Sequence, residues 1–198
     1  MTEYSAGLTS KLFWLQESRK TAALIIEGKK KNEIKEICWS ENIYQVKAEY
    51  RAGEVLNGTY RRVSLLPSEV MTAFVSCDIE TAKVINLIAI LMDSRLFFEF
   101  MHDVFEEKLR LGEKEITDRD LNVFFDDKAM QSDVVAGWTD VAVKKLKQCF
   151  TRMLLEAGLL TSSKKPRMIH EVHVDYRTRE LLVKNGLEIY LNAITGDK

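Results

Sequence analysis

Residues that interrupt secondary structure are scarce in this chain of 198 residues, which has only 2 prolines and 9 glycines. A β-sandwich or barrel needs turn residues roughly every 8–12 positions. Pro and Gly are the residues that most often mark such turns. Their scarcity therefore argues against a strand-rich fold and favours long helices.

Cysteine and long apolar runs are also sparse. The three cysteines, Cys38, Cys77 and Cys149, are odd in number and widely spaced, which is typical of reduced thiols in the cytosol. The most apolar stretch, residues 84–92, is much shorter than the ~20 apolar residues that cross a bilayer. The first ten residues lack the charge and apolar pattern of a signal peptide. We therefore expect a soluble cytoplasmic protein that does not contact a membrane.

Charge is balanced overall but unevenly distributed. The formal net charge is −1. Residues 93–133 contain twelve acidic and six basic side chains, a net charge of −6, whereas residues 141–184 contain ten basic and four acidic ones, a net charge of +6. A nearly neutral chain with this segregation can still present a positive surface to a polyanion.

Apolar spacing and capping residues predict a mostly α protein in three consecutive regions. Residues 1–66 form an N-terminal helical region with a candidate helix-turn-helix. Residues 67–112 form the central core of a helical bundle, and residues 113–198 form a C-terminal unit. The pair Asn57-Gly58 predicts a turn in the first region, ahead of Tyr60-Arg61-Arg62.

The C-terminal unit has the element order of a winged helix. Two helices precede a longer helix that begins after Thr139, and then come Gly158, a basic loop and an alternating segment at 168–174. That segment is rich in β-branched residues and suits a strand of a short β-hairpin. In winged helices the third helix enters the major groove of DNA and the hairpin loop contacts the backbone, so we predict a winged-helix-like unit over residues 116–174.

The longer helix carries polar and basic residues opposite its apolar positions. Such side chains neutralise phosphates or reach base edges, and the loop that follows adds more cations. A basic outward face is often only a solvated surface, and this alternative remains open. The predicted DNA-binding residues of this unit are Lys144, Lys145, Gln148, Thr151, Arg152, Lys164, Lys165 and Arg167.

A second candidate DNA-binding region lies near the N-terminus. Asn32 predicts the start of one helix and Ser40 or Asn42 the start of another, in the manner of a helix-turn-helix. A plain helical hairpin is the alternative, because Glu49 and Glu54 dilute the positive charge. The candidate contact residues here are Lys47, Arg51, Arg61 and Arg62.

No catalytic motif emerges. His170 and His173 would point to opposite faces of a strand and have no cysteine nearby, so a zinc site is not predicted. The adjacent pairs Asp126-Asp127 and Glu106-Glu107 are better explained as solvated charges than as acid/base couples. His102, on an apolar helix, is expected to be a core residue. We expect no enzyme activity, no metal, no cofactor and no small-molecule substrate.

Several segments together resemble the BrxA family of the bacteriophage-exclusion (BREX) defence systems of bacteria. They are the opening Tyr4–Thr9, the run Tyr60-Arg61-Arg62-Val63 with Leu65-Leu66, residues 84–100, and Trp138-Thr139-Asp140 through Lys144 to Leu160. The resemblance covers nearly the whole chain and includes no catalytic signature. It implies a helical, DNA-binding protein without an enzymatic role that acts beside a methyltransferase, an ATPase and other defence proteins.

The leading hypothesis is therefore a non-catalytic accessory protein that binds double-stranded DNA. One alternative is an adaptor that docks other defence subunits through the acidic region around Glu106, Glu107, Asp118 and Asp120. Another is an RNA-binding protein, because the resemblance includes a likeness to the antitermination protein NusB. The chain lacks the aromatic stacking motif of common single-strand RNA readers.

Overall fold

Helices make up nearly all the regular structure of the computed structural model, which describes residues 3–197. The chain forms two compact units. One is Phe13–Asp93, and the other combines the described residues of Met1–Leu12 and Ser94–Lys198. This division differs from the three consecutive regions predicted above. The N-terminal residues belong with the C-terminal part because the 3₁₀ helix Ala6–Ser10 packs on the helix that contains Cys149, whose thiol donates to the Leu8 carbonyl at 3.3 Å.

The unit Phe13–Asp93 has a central helix whose residues 84–91 are apolar on all sides, apart from Asn86. Residues 84–91 of this helix are all buried, which explains why the most apolar stretch of the sequence has no polar face. The first and third helices of the unit pack against each other and against this helix. The helices are α1 (Leu15–Ile26), α2 (Lys31–Ser40), α3 (Glu49–Val63), α4 (Ser68–Ser76) and α5 (Ile79–Asp93).

The turn predicted at Asn57-Gly58 is wrong, because both residues lie within α3. Gly58 is buried where the Trp14 ring crosses the helix. A Cβ atom at position 58 would lie 2.5 Å from Cζ3 of Trp14. The glycine therefore allows an aromatic ring to pack closely against a helix and does not mark a reversal of the chain.

The helix-turn-helix prediction is not confirmed. We expected a helix starting at Ser40 or Asn42, but α3 begins at Glu49, and residues 41–48 connect it to α2. Helix-turn-helix motifs use a turn of about 3–4 residues. Asn42 and Gln45 adopt positive φ values of 45° and 54°, which interrupt helical geometry in this longer connection.

The other unit is built around a cluster of phenylalanine rings. Phe150 lies 4.6 Å from Phe97, 5.3 Å from Phe100 and 5.6 Å from Phe125, measured between ring centroids. Residues 95–110 form one continuous helical rod, in which a π-helical turn, Met101–Phe105, joins residues 95–100 to residues 106–110. The helices are α6 (Arg95–Phe100), α7 (Glu106–Arg110), α8 (Asp118–Gln131), α9 (Asp133–Ala136), α10 (Asp140–Glu156), α11 (Tyr176–Lys184) and α12 (Glu188–Thr195).

The mostly α prediction is confirmed, but the winged-helix-like unit with a β-hairpin is wrong. No strand forms among residues 3–197. The predicted hairpin is reduced to two isolated antiparallel bridges, Leu160 with Ile169 and Glu115 with Met168. The Ile116 amide donates to the Arg167 carbonyl at 3.0 Å and the Ile169 amide to the Lys114 carbonyl at 2.8 Å, and these two bonds form the Glu115–Met168 bridge. Pairing extends no further because α10 ends at Glu156 and α8 begins at Asp118. These helix ends leave only a few extended residues beside Met168 and Ile169, which is too short a partner for a β-hairpin.

Candidate nucleic-acid interface

Helix α10 holds four of its five predicted contact residues on the side opposite a buried apolar face. Thr139 caps the helix, with its hydroxyl accepting from the Ala142 amide at 3.3 Å. Leu146, Phe150 and Leu154 are fully buried at helical spacing. Their burial fixes the rotation of the helix, so the side chains on its opposite side face outward.

Four predicted residues of α10 are exposed: Lys144, Lys145, Gln148 and Arg152. We call these four residues the α10 basic face. Lys144 and Lys145 make no ion pair within residues 3–197, so their charges remain available to a ligand. Arg152 is partly neutralised, because its Nε lies 2.6 Å from Oε1 of Glu156.

The basic loop, residues 161–167, adds two exposed cations. Lys164 is exposed and has no carboxylate partner in the described chain. Lys165 is exposed but forms an ion pair with Asp118. This pair and a second one with Arg167 hold the pKa of Asp118 below its usual value, so the carboxylate stays ionised. One of the two lysines is therefore free of internal pairing.

Two residues of the predicted C-terminal set are removed from the interface by burial. Thr151 is buried, and its hydroxyl donates back to the carbonyls of Lys147 and Gln148. Arg167 is also buried, with its guanidinium bonded to the Ile116 carbonyl and Asp118. Arg167 therefore anchors the basic loop to the start of α8 and does not face solvent.

In the unit Phe13–Asp93, burial also removes Arg62. Its side chain is fully buried, and its guanidinium carbon lies 5.5 Å from the centroid of the Trp14 ring, a cation–π contact. Arg62 is a core residue and cannot contact DNA through its side chain. Nothing in the Arg61-Arg62 pair itself distinguishes the exposed arginine from the buried one, so this burial was not predicted.

The other predicted residues of this unit reach solvent to different degrees. Arg61 pairs with Asp93 through two contacts of 2.5 and 2.7 Å. Arg51 pairs with Glu54 at 2.8 Å. Lys47 is exposed in the connection between α2 and α3 and has no ion pair with any described residue. One cation without an internal partner makes a weaker candidate surface than the α10 basic face.

The histidines considered for chemistry lie at the surface. His102 is exposed, with Nδ1 2.9 Å from Oδ1 of Asp103, so the expectation that it is a core residue is wrong. His170 and His173 are both exposed. No group of three or more His, Cys, Asp or Glu side chains suited to a metal ion occurs within residues 3–197.

The sequence analysis named Glu107 and Asp120 as part of an acidic docking region but did not identify the groove beside α8 that both residues line. A cavity of about 590 Å³ runs along this helix and is lined by Arg119, Val123 and Asp127, among other residues. Their spacing of four residues places them on one face of α8. This stripe of basic, apolar and acidic residues was the available signal, but it lacks the continuous apolar pattern that identifies a groove from sequence.

The fold and its surface define an all-helical protein with an exposed basic helix face. The family model of BrxA matches residues 2–186, and the chain belongs to this family. It is 37% identical over 194 residues to the BREX protein BrxA of Bacillus cereus (strain H3081.97), covering 98% of this chain and 97% of that protein. It is 22% identical over 191 residues to the BREX protein BrxA of Paramagnetospirillum magneticum (strain ATCC 700264 / AMB-1), covering 96% of each.

A solved structure shares the fold. The crystal structure of an uncharacterized protein from Magnetospirillum magneticum superposes with a TM-score of 0.83 and 19% sequence identity, covering 99% of this chain and all of that one. None of the helices described in residues 3–197 combines the length and apolar character needed to cross a membrane.

Proposed function

We propose that this protein is a non-catalytic accessory of a BREX phage-defence system and that it binds double-stranded DNA through the α10 basic face. The observation that carries the proposal is the exposure of Lys144 and Lys145 without internal ion pairs, beside Gln148 and Arg152. The defence context comes from family membership and from the names of the two BrxA relatives.

The chemistry of this face suits a duplex. Lysine and arginine side chains on an exposed helix neutralise phosphates, and glutamine and arginine also bond to base edges in the major groove. A helix with its side chains is about 10–12 Å wide, close to the width of that groove. Lys164 and Lys165 follow α10 in the chain and provide further phosphate contacts. Because the winged-helix unit is absent, the proposal depends on the helix face and its charges.

The test is a triple charge reversal, Lys144→Glu, Lys145→Glu and Arg152→Glu, measured by gel shift and fluorescence anisotropy on a labelled duplex. We expect duplex affinity to fall by at least about 100-fold, because three favourable phosphate contacts become repulsive. The matched control is Lys35→Glu, Arg110→Glu and Arg177→Glu, which alters net charge equally at exposed positions on other helices.

Three results would contradict the proposal. They are the absence of wild-type binding at low salt, an unchanged affinity in the triple variant, and an equal loss in the matched control. Competition with unlabelled RNA of the same length separates the nucleic acids. If unlabelled RNA displaces the labelled duplex more effectively than unlabelled duplex DNA does, the preferred ligand is RNA and the proposal of DNA binding is wrong.

A further inference from the structure

The groove beside α8 has features that DNA binding does not use. It lies between this helix and the rod formed by residues 95–110. The π-helical turn at Met101–Phe105 falls along its wall and contributes Asp103 and Val104 to the lining. Such turns interrupt regular helical pairing and recur at functional sites. The groove is therefore a shaped feature of the fold and not a gap at a chain end.

The groove exposes apolar surface to water. Phe124 and Val104 lie in its lining, and Leu111 and Val123 remain 67% and 48% exposed. Exposed apolar side chains that line one groove and are bordered by charge are characteristic of protein–protein contact sites. A partner that covers them would remove this surface from water.

Two buried lysines in the groove are neutralised internally. Lys108 contacts Glu113 and Asp120, and Lys128 lies 2.7 Å from Glu99 and 3.1 Å from Asp103. Burial alone would lower the pKa of each lysine, but the paired carboxylates outweigh it and raise both values, so each lysine stays charged. Neither lysine has free charge to offer an acidic ligand.

The remaining charge of the groove is negative. Its lining contains five carboxylates and three cationic side chains. The carboxylates of Glu107 and Asp127, on opposite walls, have no hydrogen-bond or ion-pair partner within residues 3–197. Arg119, at one end of the groove, has none either. A ligand that satisfies both walls must therefore carry positive charge on two sides of an apolar stripe.

We infer that this groove docks a basic amphipathic helix from another protein. From Arg119 to Gln131 the wall extends for about 18 Å, the length of roughly three helical turns. Packing an amphipathic helix between two helices buries its apolar stripe, while lysine and arginine on its flanks meet Glu107 and Asp127. This inference is independent of the proposed DNA binding, which uses α10 and the basic loop.

A second copy of this chain is a poorer occupant. Helix α10, which has four basic residues, already buries its apolar face in the core. Helix α11 exposes Tyr176 and Val183, but Glu180 lies on the same face of the helix and would enter an acidic groove. A partner helix with a free apolar face, basic residues on its flanks and no acidic residue on that face avoids both problems.

The probe is a synthetic, fluorescently labelled helical peptide of about 14 residues, with leucines at i, i+3, i+4 and i+7 spacing and arginines on both flanks. Anisotropy measures its binding to the full chain. One control peptide has the same composition with the leucines scrambled, and another has glutamate in place of arginine. We expect the amphipathic basic peptide to bind at least about tenfold more tightly than either control.

Two matched protein variants locate the site. Glu107→Lys with Asp127→Lys reverses the groove walls, whereas Asp126→Lys with Asp133→Lys makes the same net charge change at exposed positions outside the groove. We expect the first pair to weaken peptide binding about tenfold or more and the second less than about twofold. Circular dichroism checks that both variants fold.

The inference is overturned if the wild type does not bind the peptide, if the scrambled peptide binds equally well, or if both variant pairs weaken binding equally. It is also overturned if sedimentation shows self-association that the groove variant abolishes, because the occupant is then a second copy. The groove variant should keep its duplex affinity, so failure of this inference is distinguishable from failure of the proposed DNA binding.

Discussion

The Trp14 ring explains why glycine occupies position 58, in the middle of α3. Gly58 lies in α3 with ordinary helical geometry, so the reason for glycine here is not its conformational freedom. The Trp14 ring occupies the space that a Cβ atom would need. Trp14 itself has a positive φ of 48°, and α1 begins at the residue after it. The packing of α1 on α3 therefore depends on this contact.

Gly58→Ala should destabilise the protein by about 1–3 kcal/mol, because the added methyl group clashes with a buried ring. Gly53→Ala is the matched control. It lies in the same helix, and a Cβ atom there meets nothing within 4 Å. Since alanine favours helix over glycine, we expect the control to stabilise by about 0.5–1 kcal/mol. Urea unfolding of both variants measures the two changes, and equal effects would refute the steric explanation.

At the scale of elements, one carboxylate connects α6, α8 and the N-terminal segment. Glu99 on α6 accepts from Lys128 of α8 at 2.7 Å, from Tyr4 at 2.8 Å and from Arg95 at 2.7 Å. Burial alone would raise the pKa of Glu99, but hydrogen bonds from Lys128, Arg95 and Tyr4 outweigh it and lower the value. The ionised form therefore stabilises the packing of these elements.

The sign of the pH dependence follows from this lowered pKa. The contribution of Glu99 is present above its unfolded value of about 4.5 and is lost as the pH falls through the lower folded value. Glu99→Gln should cost about 1–3 kcal/mol at pH 7 and reduce the loss of stability on acidification. Denaturant unfolding between pH 7 and pH 3 measures both effects.

Glu107→Gln serves as the control for the pH experiment. Glu107 is exposed and has no ion pair in the described chain, so its stability effect should stay within about 0.5 kcal/mol at every pH. If both glutamine variants show the same pH profile, the network around Glu99 does not provide the acid-sensitive stabilisation.

At the scale of the whole molecule, the uneven charge distribution predicts how nucleic-acid binding responds to salt. The α10 basic face and the basic loop contain five exposed cations, of which Arg152 and Lys165 are partly neutralised by carboxylates. Neutralising three to five phosphates should give a slope of about −3 to −4.5 when log affinity is plotted against log salt concentration.

Removing cations should flatten that dependence. The triple reversal at Lys144, Lys145 and Arg152 eliminates up to three phosphate contacts, so the slope should become less negative by about 2–3. Anisotropy titrations from about 50 to 200 mM salt give the slope for wild type and variant. A wild-type slope near zero would mean that phosphate contacts do not carry the binding.

Local patterns allowed much of the helical content to be predicted. The apolar spacing of α10 and its Thr139 cap identified the helix and its exposed side, and Lys144, Lys145, Gln148 and Arg152 are indeed exposed. Each of these features depends on residues within a few turns of one another. Scarce proline and glycine likewise predicted a mostly α fold, because no partner segment is needed to form a helix.

Features that depend on distant residues were not predictable in this way. The burial of Arg62 requires the Trp14 ring, and the burial of Arg167 requires the carbonyl of Ile116 and the carboxylate of Asp118. The predicted hairpin failed for the same reason, since strand pairing needs a long extended partner and the helices on either side leave only single bridges.

The sequence alone determined the mostly α character of the fold and the segregation of charge along the chain. Composition and helical periodicity are local properties, so no distant residue is needed to detect them. Which cations reach solvent, and the existence of an acidic groove beside α8, were decided only by the tertiary structure. The physical reason is that burial and pairing are set by residues far apart in the chain, which meet only after the helices have packed.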